Sequence, residues 1–230
     1  IPYLKAVFEL TYFEAMLVQF AFFGAYFIGG LLYFIISVKF GDPINKIGYK
    51  NGIIIGLAIS AIGTALFFPA AQFIMYGFFL SALFILGLGF AMLQIAANPY
   101  VAILGPEETS SARLNLSQGF NSFGTTIGPI LGGFFIFEYF GGTNAHGASS
   151  VIVPYLFLTG VLVLLAVLIW SAKLPRFYNK DFPEKGAGAW QFMHLRLGAL
   201  AIFVYVGAEV AIGSILISYL GLENIAGLSE

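Results

Sequence analysis

The chain has no cysteine among its 230 residues, so it carries no disulfide and no thiolate metal site. Histidine is nearly as scarce: His146 and His194 are the only two, and both fall outside the long apolar runs. Neither can join a serine or a carboxylate within such a run, so a hydrolase working inside a membrane has no nucleophile–base pair. No cluster of acids and histidines has the spacing of a metal site, and no GxxxxGK loop is present to cradle a nucleotide. No catalytic residue and no metal ligand is therefore expected. Charge is scarce too. Charged residues make up 9% of the chain, against about 25% in globular domains. The formal net charge of −1 offers nothing that would attract nucleic acid.

Apolar residues fill the chain instead. They amount to 60% of it, with 17% aromatic and a mean hydropathy of +0.93. A bilayer core takes about 20 apolar residues per helix. Windows of that size predict six spans: about Phe13–Phe40, Gly52–Phe73, Gly77–Leu104, Leu114–Phe140, Val151–Ala172 and Leu195–Leu220. A closed β-barrel would need short alternating segments, and runs such as LFILGLGFAML do not alternate. The fold class expected is an all-α integral membrane protein with no soluble domain.

The loops between these spans divide by charge. One set carries Lys39, Lys46, Lys50, Arg113, Lys173, Arg176, Lys180, Lys185 and Arg196, which is nine of the ten Lys and Arg residues. The other set holds only Lys5. The positive-inside rule makes the first set cytoplasmic, and an even number of spans then places Ile1 and Glu230 both outside. The opening IPYLKAVFEL has no methionine start, charged n-region or cleavage site. Its abrupt start, and the abrupt stop in an acidic loop, predict an excerpt from a longer polypeptide whose first span is missing. The stretch KLPRFYNKDFPEKGAGAW reads as a linker between two bundles or as an ordinary long cytoplasmic loop.

Polar residues inside the spans need a reason. Gln94 and Asn98, in QIAANPY, stand four residues apart on one helix face. Pro99 beside them removes a backbone hydrogen bond and frees a carbonyl one turn back. An unpaired buried amide costs about 1–3 kcal/mol, so these groups must meet a partner helix, water or a solute. The fourth span adds Asn115, Gln118, Asn121, Ser122 and Thr125, which fall within about a third of the helix circumference. Facing amide stripes on neighbouring helices make a wet cavity suited to sugar hydroxyls, because each amide both donates and accepts. Phe22, Tyr26, Phe90, Tyr100 and Phe120 are aromatics that could stack on a sugar ring. Interhelical glue is the competing reading.

Two further patterns stand out. Gly52, Gly56, Ser60 and Thr64 recur every four residues on the second span, as do Gly124, Gly128 and Gly132 on the fourth, and such ribbons let helix backbones approach closely. Glu209 lies far from both ends of the last span. A carboxyl there is protonated, paired or facing water, and one that alternates between these states can couple proton movement to a solute. Glu14 and Glu138 sit at outer span ends as interfacial residues. Arg113 sits at the cytoplasmic edge, where snorkelling accounts for it.

The loop GDPINKIGYK resembles the cytoplasmic gating motif of the major facilitator superfamily, a glycine, an acid, a glycine and spaced basic residues. Gly41, Lys46, Gly48 and Lys50 match it, and Asn45 stands where the acid is usual. Three stretches, FELTYFEAMLVQFAFFGAYF, LQIAANPYVAILGPEETSSARLNLSQGFNSFGTTIGP and VYVGAEVAIGS, resemble the fucose–galactose–glucose:proton symporter family. That resemblance implies a twelve-helix bundle in two halves, of which this chain holds six helices, two to seven. It implies residues 1–172 as a half bundle lacking its first helix, 173–194 as the cytoplasmic linker between halves, and 195–230 as the first helix of the second half with an outer loop.

The resemblance also implies a function: import of a hexose or deoxyhexose by cation symport and alternating access, in a bacterial inner membrane. Gln118 and Asn121 match family positions that face the sugar. In fucose-specific members an acid implicated in proton coupling occupies the place of Gln94, and the glutamine here leans toward glucose or galactose. Gln94, Asn98, Gln118 and Asn121 are the expected sugar ligands, and Glu209 is the coupling candidate. No cofactor is expected, and the coupling ion is a proton, with sodium the alternative. The partners are a monosaccharide, the lipid bilayer and the remainder of the same polypeptide, in a functional monomer. The rivals are an exporter, whose motif the run GPILGG resembles, and a sugar sensor that no longer transports.

Overall fold

The computed structural model describes residues 8–135, 151–177, 188–220 and 225–227. Helix α1, Tyr12–Phe40, opens on a capping box in which Thr11 Oγ1 accepts from the Glu14 amide at 3.3 Å and Glu14 accepts from the Thr11 N–H at 2.8 Å. Glu14 is thus a helix cap. A short helix α2, Pro43–Ile47, leads to α3, Tyr49–Ala65, which continues almost directly into α4, Phe67–Phe73. Then come α5, Tyr76–Ile103, α6, Ser110–Gly133, α7, Ile152–Ser171, and α8, Met193–Leu220. Among the described residues there is no strand.

Among the described residues, five helical stretches are long and apolar enough to cross a membrane: Phe13–Phe40, Tyr49–Phe73, Tyr76–Ile103, Ile152–Ser171 and Met193–Gly213. They fall on five of the six predicted spans, and the helix that carries the last of them runs on to Leu220. The sixth, expected over Leu114–Phe140, is helical over Ser110–Gly133, and its described residues are too polar to join the other five. Its last five residues, and with them Glu138, lie outside the described residues, as does His146.

Packing runs α1 against α5, α5 against α3, and α3 against α7. The α3–α5 seam is made by small residues. A Cβ on Gly63 would lie 2.5 Å from the Leu86 amide nitrogen, and one on Gly56 would lie 2.8 Å from Leu93 Cγ. The ribbon Gly52, Gly56, Ser60 and Thr64 is buried, as close helix approach requires. Its two hydroxyls bond backward along α3: Ser60 Oγ donates to the Gly56 carbonyl at 2.8 Å, and Thr64 Oγ1 to the Ser60 carbonyl at 3.1 Å. Thr159 Oγ1 of α7 then donates to Thr64 Oγ1 at 2.9 Å, a polar link between spans. The second ribbon differs. A Cβ added at Gly124, Gly128 or Gly132 would meet nothing within 4 Å, so α6 offers its small residues to open space.

A buried cluster sits at the end of the bundle away from the basic loops, where Phe67, Ala70 and Ala71 of α4 meet Phe79 and Ala82 of α5 and Val151. Phe67 stacks on Tyr155 with centroids 3.8 Å apart and meets Phe79 edge-on at 5.6 Å. Tyr76 Oη donates to the Glu14 carbonyl at 2.5 Å and ties the starts of α1 and α5 together. No residue of α6 is buried, and nearly all of α8 with described side chains is exposed. A four-helix layer of α1, α5, α3 and α7 is therefore the packed unit.

Candidate substrate site and gate loop

The amide pair of α5 forms as its spacing predicts. Asn98 Nδ2 donates to Gln94 Oε1 at 2.5 Å. One turn of helix sets the i, i+4 side chains side by side, and Pro99 follows directly inside the helix. The bond occupies the Gln94 oxygen and leaves one Gln94 N–H, beyond the one that faces the Tyr26 hydroxyl, together with Asn98 Oδ1, free to meet a solute. The Tyr26 hydroxyl of α1 approaches the Gln94 amide. Around them Phe22 meets Tyr26 at 5.5 Å and Phe90 at 6.0 Å, both edge-on. The result is a polar patch with one donor end, one acceptor end and an aromatic rim. That combination suits a hydroxylated ring, whose hydroxyls do both jobs and whose C–H faces pack on aromatics.

Tyr100, also expected as a stacking aromatic, is elsewhere. It is 4% exposed, stacks on Tyr49 at 5.6 Å, and donates to the Pro175 carbonyl at 3.0 Å. Its ring fastens α5 to the segment after α7 and is not available to a sugar. Arg113 also corrects its expected role as a snorkelling residue. Its guanidinium donates to the carbonyls of Val101 at 3.0 Å, Ala102 at 2.6 Å and Pro106 at 3.0 Å, and to Thr109 Oγ1 at 2.5 Å. The first two carbonyls lie in the last turn of α5 and have no helical partner, so Arg113 caps α5 and anchors the start of α6.

On α6, Asn115, Gln118, Asn121, Ser122, Thr125 and Phe120 all lie on unburied positions. Thr125 and Thr126 turn their hydroxyls back to the Ser122 carbonyl at 2.9 Å. Among the described residues, nothing hydrogen-bonds the side chains of Gln118 or Asn121, and the structure does not bring them onto the Gln94–Asn98 pair. Glu209 is exposed on α8, with no hydrogen bond or ion pair among the described residues.

The gate loop is built from its glycines. Gly41 ends α1 at φ 81° and Gly48 ends α2 at φ 83°, conformations that a side chain resists. Between them Asp42 caps α2, accepting from the Ile44 amide at 3.0 Å and from Tyr33 Oη. Ile44 inserts at 2% exposure. Asn45, at the usual acid position, donates its backbone N–H to the Asp42 carbonyl. Lys46 Nζ donates to the Phe40 carbonyl at 3.1 Å, and Lys50 Nζ to the carbonyls of Trp170 and Ala172 at 2.7 Å each. Both lysines thus bond backbone oxygen rather than a carboxylate. The Lys50 bonds were not legible in the sequence, because they join positions 120 and 122 residues apart.

A family model described as Major Facilitator Superfamily matches residues 1–229. The chain belongs to that superfamily. Its members are transporters rather than enzymes, and this is a multi-pass protein of the bacterial inner membrane. The chain is 47% identical over 235 residues to the glucose/galactose transporter of Brucella abortus biovar 1 (strain 9-941), covering 100% of this chain and 55% of the relative. It is 36% identical over 253 residues to the L-fucose-proton symporter of Escherichia coli (strain K12), covering 100% of this chain and 56% of that protein. The crystal structure of the transporter FucP in the outward conformation superposes with a TM-score of 0.74 at 35% identity, over 95% of this chain and 57% of that one. The chain spans about half the length of the relatives it matches.

Proposed function

We propose that this superfamily segment is the greater part of the first half of a sugar:cation symporter, with residues 173–194 as the link to a second half that opens with α8. The substrate is a hexose, glucose or galactose in preference to fucose, and the driving ion is a proton. The single observation that carries the substrate class is the Gln94–Asn98 pair, which offers one donor and one acceptor beside an aromatic rim. The likeness to proteins named for glucose/galactose and for fucose–proton symport supports it. Gln118 and Asn121 join the pair from α6 when the bundle is complete. Such folds expose one central site alternately to each side by rocking one half against the other.

Gln94 carries no proton, so coupling requires another group. Glu209 is the candidate within this chain, since a carboxyl in a span is costly enough to need a task. The test is counterflow of glucose, galactose, fucose and mannose in proteoliposomes bearing the full-length polypeptide, with Gln94→Ala and Asn121→Ala alongside. Uptake of one sugar, lost in both variants, is the expected result. Folded protein that binds sugar without counterflow overturns transport in favour of sensing, and absence of sugar binding overturns the substrate class.

A further inference from the structure

A cavity of about 470 Å³ opens at the cytoplasmic end of the bundle, with Lys46, Asn51, Ile54, Ile55, Trp170 and Arg176 in its wall. It shares no residue with the Gln94–Asn98 patch. Its walls come from the gate loop, the first turns of α3 and the end of α7, which the Lys50 bonds to Trp170 and Ala172 hold together. Among its described lining residues two are cations and none is an acid. Lys46 spends one donor on the Phe40 carbonyl and keeps two. Arg176 makes no hydrogen bond or ion pair among the described residues, so its guanidinium fork is unused. Asn51 gives one N–H to the Ile47 carbonyl at 2.8 Å and retains the other.

The remaining wall is apolar, and part of it is strongly exposed: Trp170 at 70% and Ile55 at 40%. A soluble anion would satisfy the cations and leave that surface bare. An exposed tryptophan at the end of a span belongs at the level of lipid headgroups, and the cations beside it lie on the side that the basic loops make cytoplasmic. Guanidinium and ammonium donors match phosphate oxygens. A zwitterionic headgroup would bring an ammonium into a pocket with no acid among its described lining residues to receive it.

We propose that this cavity is a binding site for a net-anionic phospholipid of the cytoplasmic leaflet, with its phosphate held by Arg176 and Lys46 and its chain lying along Ile54, Ile55 and Trp170. The site is independent of the sugar reading. It adds a lipid link between the gate loop and the segment following α7, beside the direct Lys50 bonds.

The test is native mass spectrometry of the full-length, delipidated protein titrated with dioleoyl phosphatidylglycerol or dioleoyl phosphatidylcholine, with thermal unfolding as the check on folding. Each Lys or Arg near an anionic surface contributes about 1 kcal/mol, or about fivefold in affinity. Arg176→Gln is expected to weaken the first phosphatidylglycerol adduct about fivefold. The Lys46→Gln, Arg176→Gln double variant should weaken it about 25-fold. Lys39→Gln, which removes an exposed cation outside the cavity, is expected to leave that adduct unchanged. Equal weakening by all three variants would indicate general surface charge and overturn the site, as would equal retention of phosphatidylcholine. Displacement of the lipid by inorganic phosphate at equal concentration would reassign the cavity to a soluble anion. Arg176 has no bond among the described residues, so the single variant keeps the test valid where the double variant unfolds.

Discussion

Lys50 lies within 2.7 Å of the Trp170 carbonyl as well as that of Ala172, so one ammonium closes the C-terminal end of a helix whose last turn lies 120 residues further along the chain. The last carbonyls of α7 have no helical partner and carry the negative end of its dipole, and a cation from α3 answers both needs. The gate loop is thereby fixed to the far side of the packed layer.

Replacing Lys50 by glutamine removes two charge-assisted bonds, and such bonds contribute about 1.5–3 kcal/mol each where they are well shielded. Lys50 is only half-buried. The expected loss is therefore nearer ~2 kcal/mol for the pair, read as a lower apparent Tm in detergent. Lys50→Arg should recover part of it. An unchanged Tm in Lys50→Gln would show that the clamp adds nothing to stability.

The small-residue seam makes a sharper prediction. At Gly63 the added carbon would meet the Leu86 amide nitrogen at 2.5 Å and its Cα at 2.7 Å, both backbone atoms of α5 that no rotamer change can clear. Gly63→Ala must push α3 from α5, at a cost of about 1–3 kcal/mol. Gly77→Ala has nothing within 4 Å and is the matched control. Comparable Tm values for the two variants would contradict the close approach of the helices.

How much of this can be read from the sequence depends on the range of the interaction. The spans follow from hydropathy alone because lipid demands an apolar exterior, and α5 ends within a residue or so of its predicted limits. The Gly52–Thr64 ribbon is legible because tight helix contact leaves room only for small side chains. The equally regular Gly124–Gly132 ribbon finds no neighbour here, so periodicity marks a capacity for packing and says nothing about the partner. The Gln94–Asn98 bond follows from local helical geometry. Tyr100 misleads for the opposite reason: its aromatic ring suits a sugar, but Tyr49 and Pro175 claim it through tertiary contacts that no local pattern encodes. Arg113 is misread from its position, since an arginine at a span edge usually snorkels and this one has four acceptors within reach.

Arg113 is accordingly expected to resist conservative replacement. Its planar fork reaches carbonyls on α5 and the turn together with the Thr109 hydroxyl, while a lysine offers a single nitrogen. Arg113→Ala leaves the last carbonyls of α5 without their partner, at a cost of about 2 kcal/mol in this half-exposed setting. Arg113→Lys should restore less than half of the lost Tm. Full restoration would mean that charge at the span edge, rather than the capping geometry, is what matters.

The amide pair allows glue and ligand to be told apart. Asn98 holds the Gln94 oxygen and so turns the Gln94 N–H donors outward. In Asn98→Ala the glutamine is free to rotate, and a sugar must order it on binding. If the pair is a ligand, KM in counterflow should rise about 5- to 30-fold, equivalent to about 1–2 kcal/mol for a lost oriented bond, with little change in Tm. Asn98→Asp is more diagnostic. A carboxylate accepts only, so Gln94 must give it an N–H and turn its oxygen toward the solute. The patch then presents an acceptor where it had a donor, and KM should rise further although the two residues stay bonded. If the pair is interhelical glue, the order reverses: both variants lower the Tm, through a stability loss of about 0.6 kcal/mol on the scale of polar bonds in membranes, and the KM of any transported sugar stays where it was.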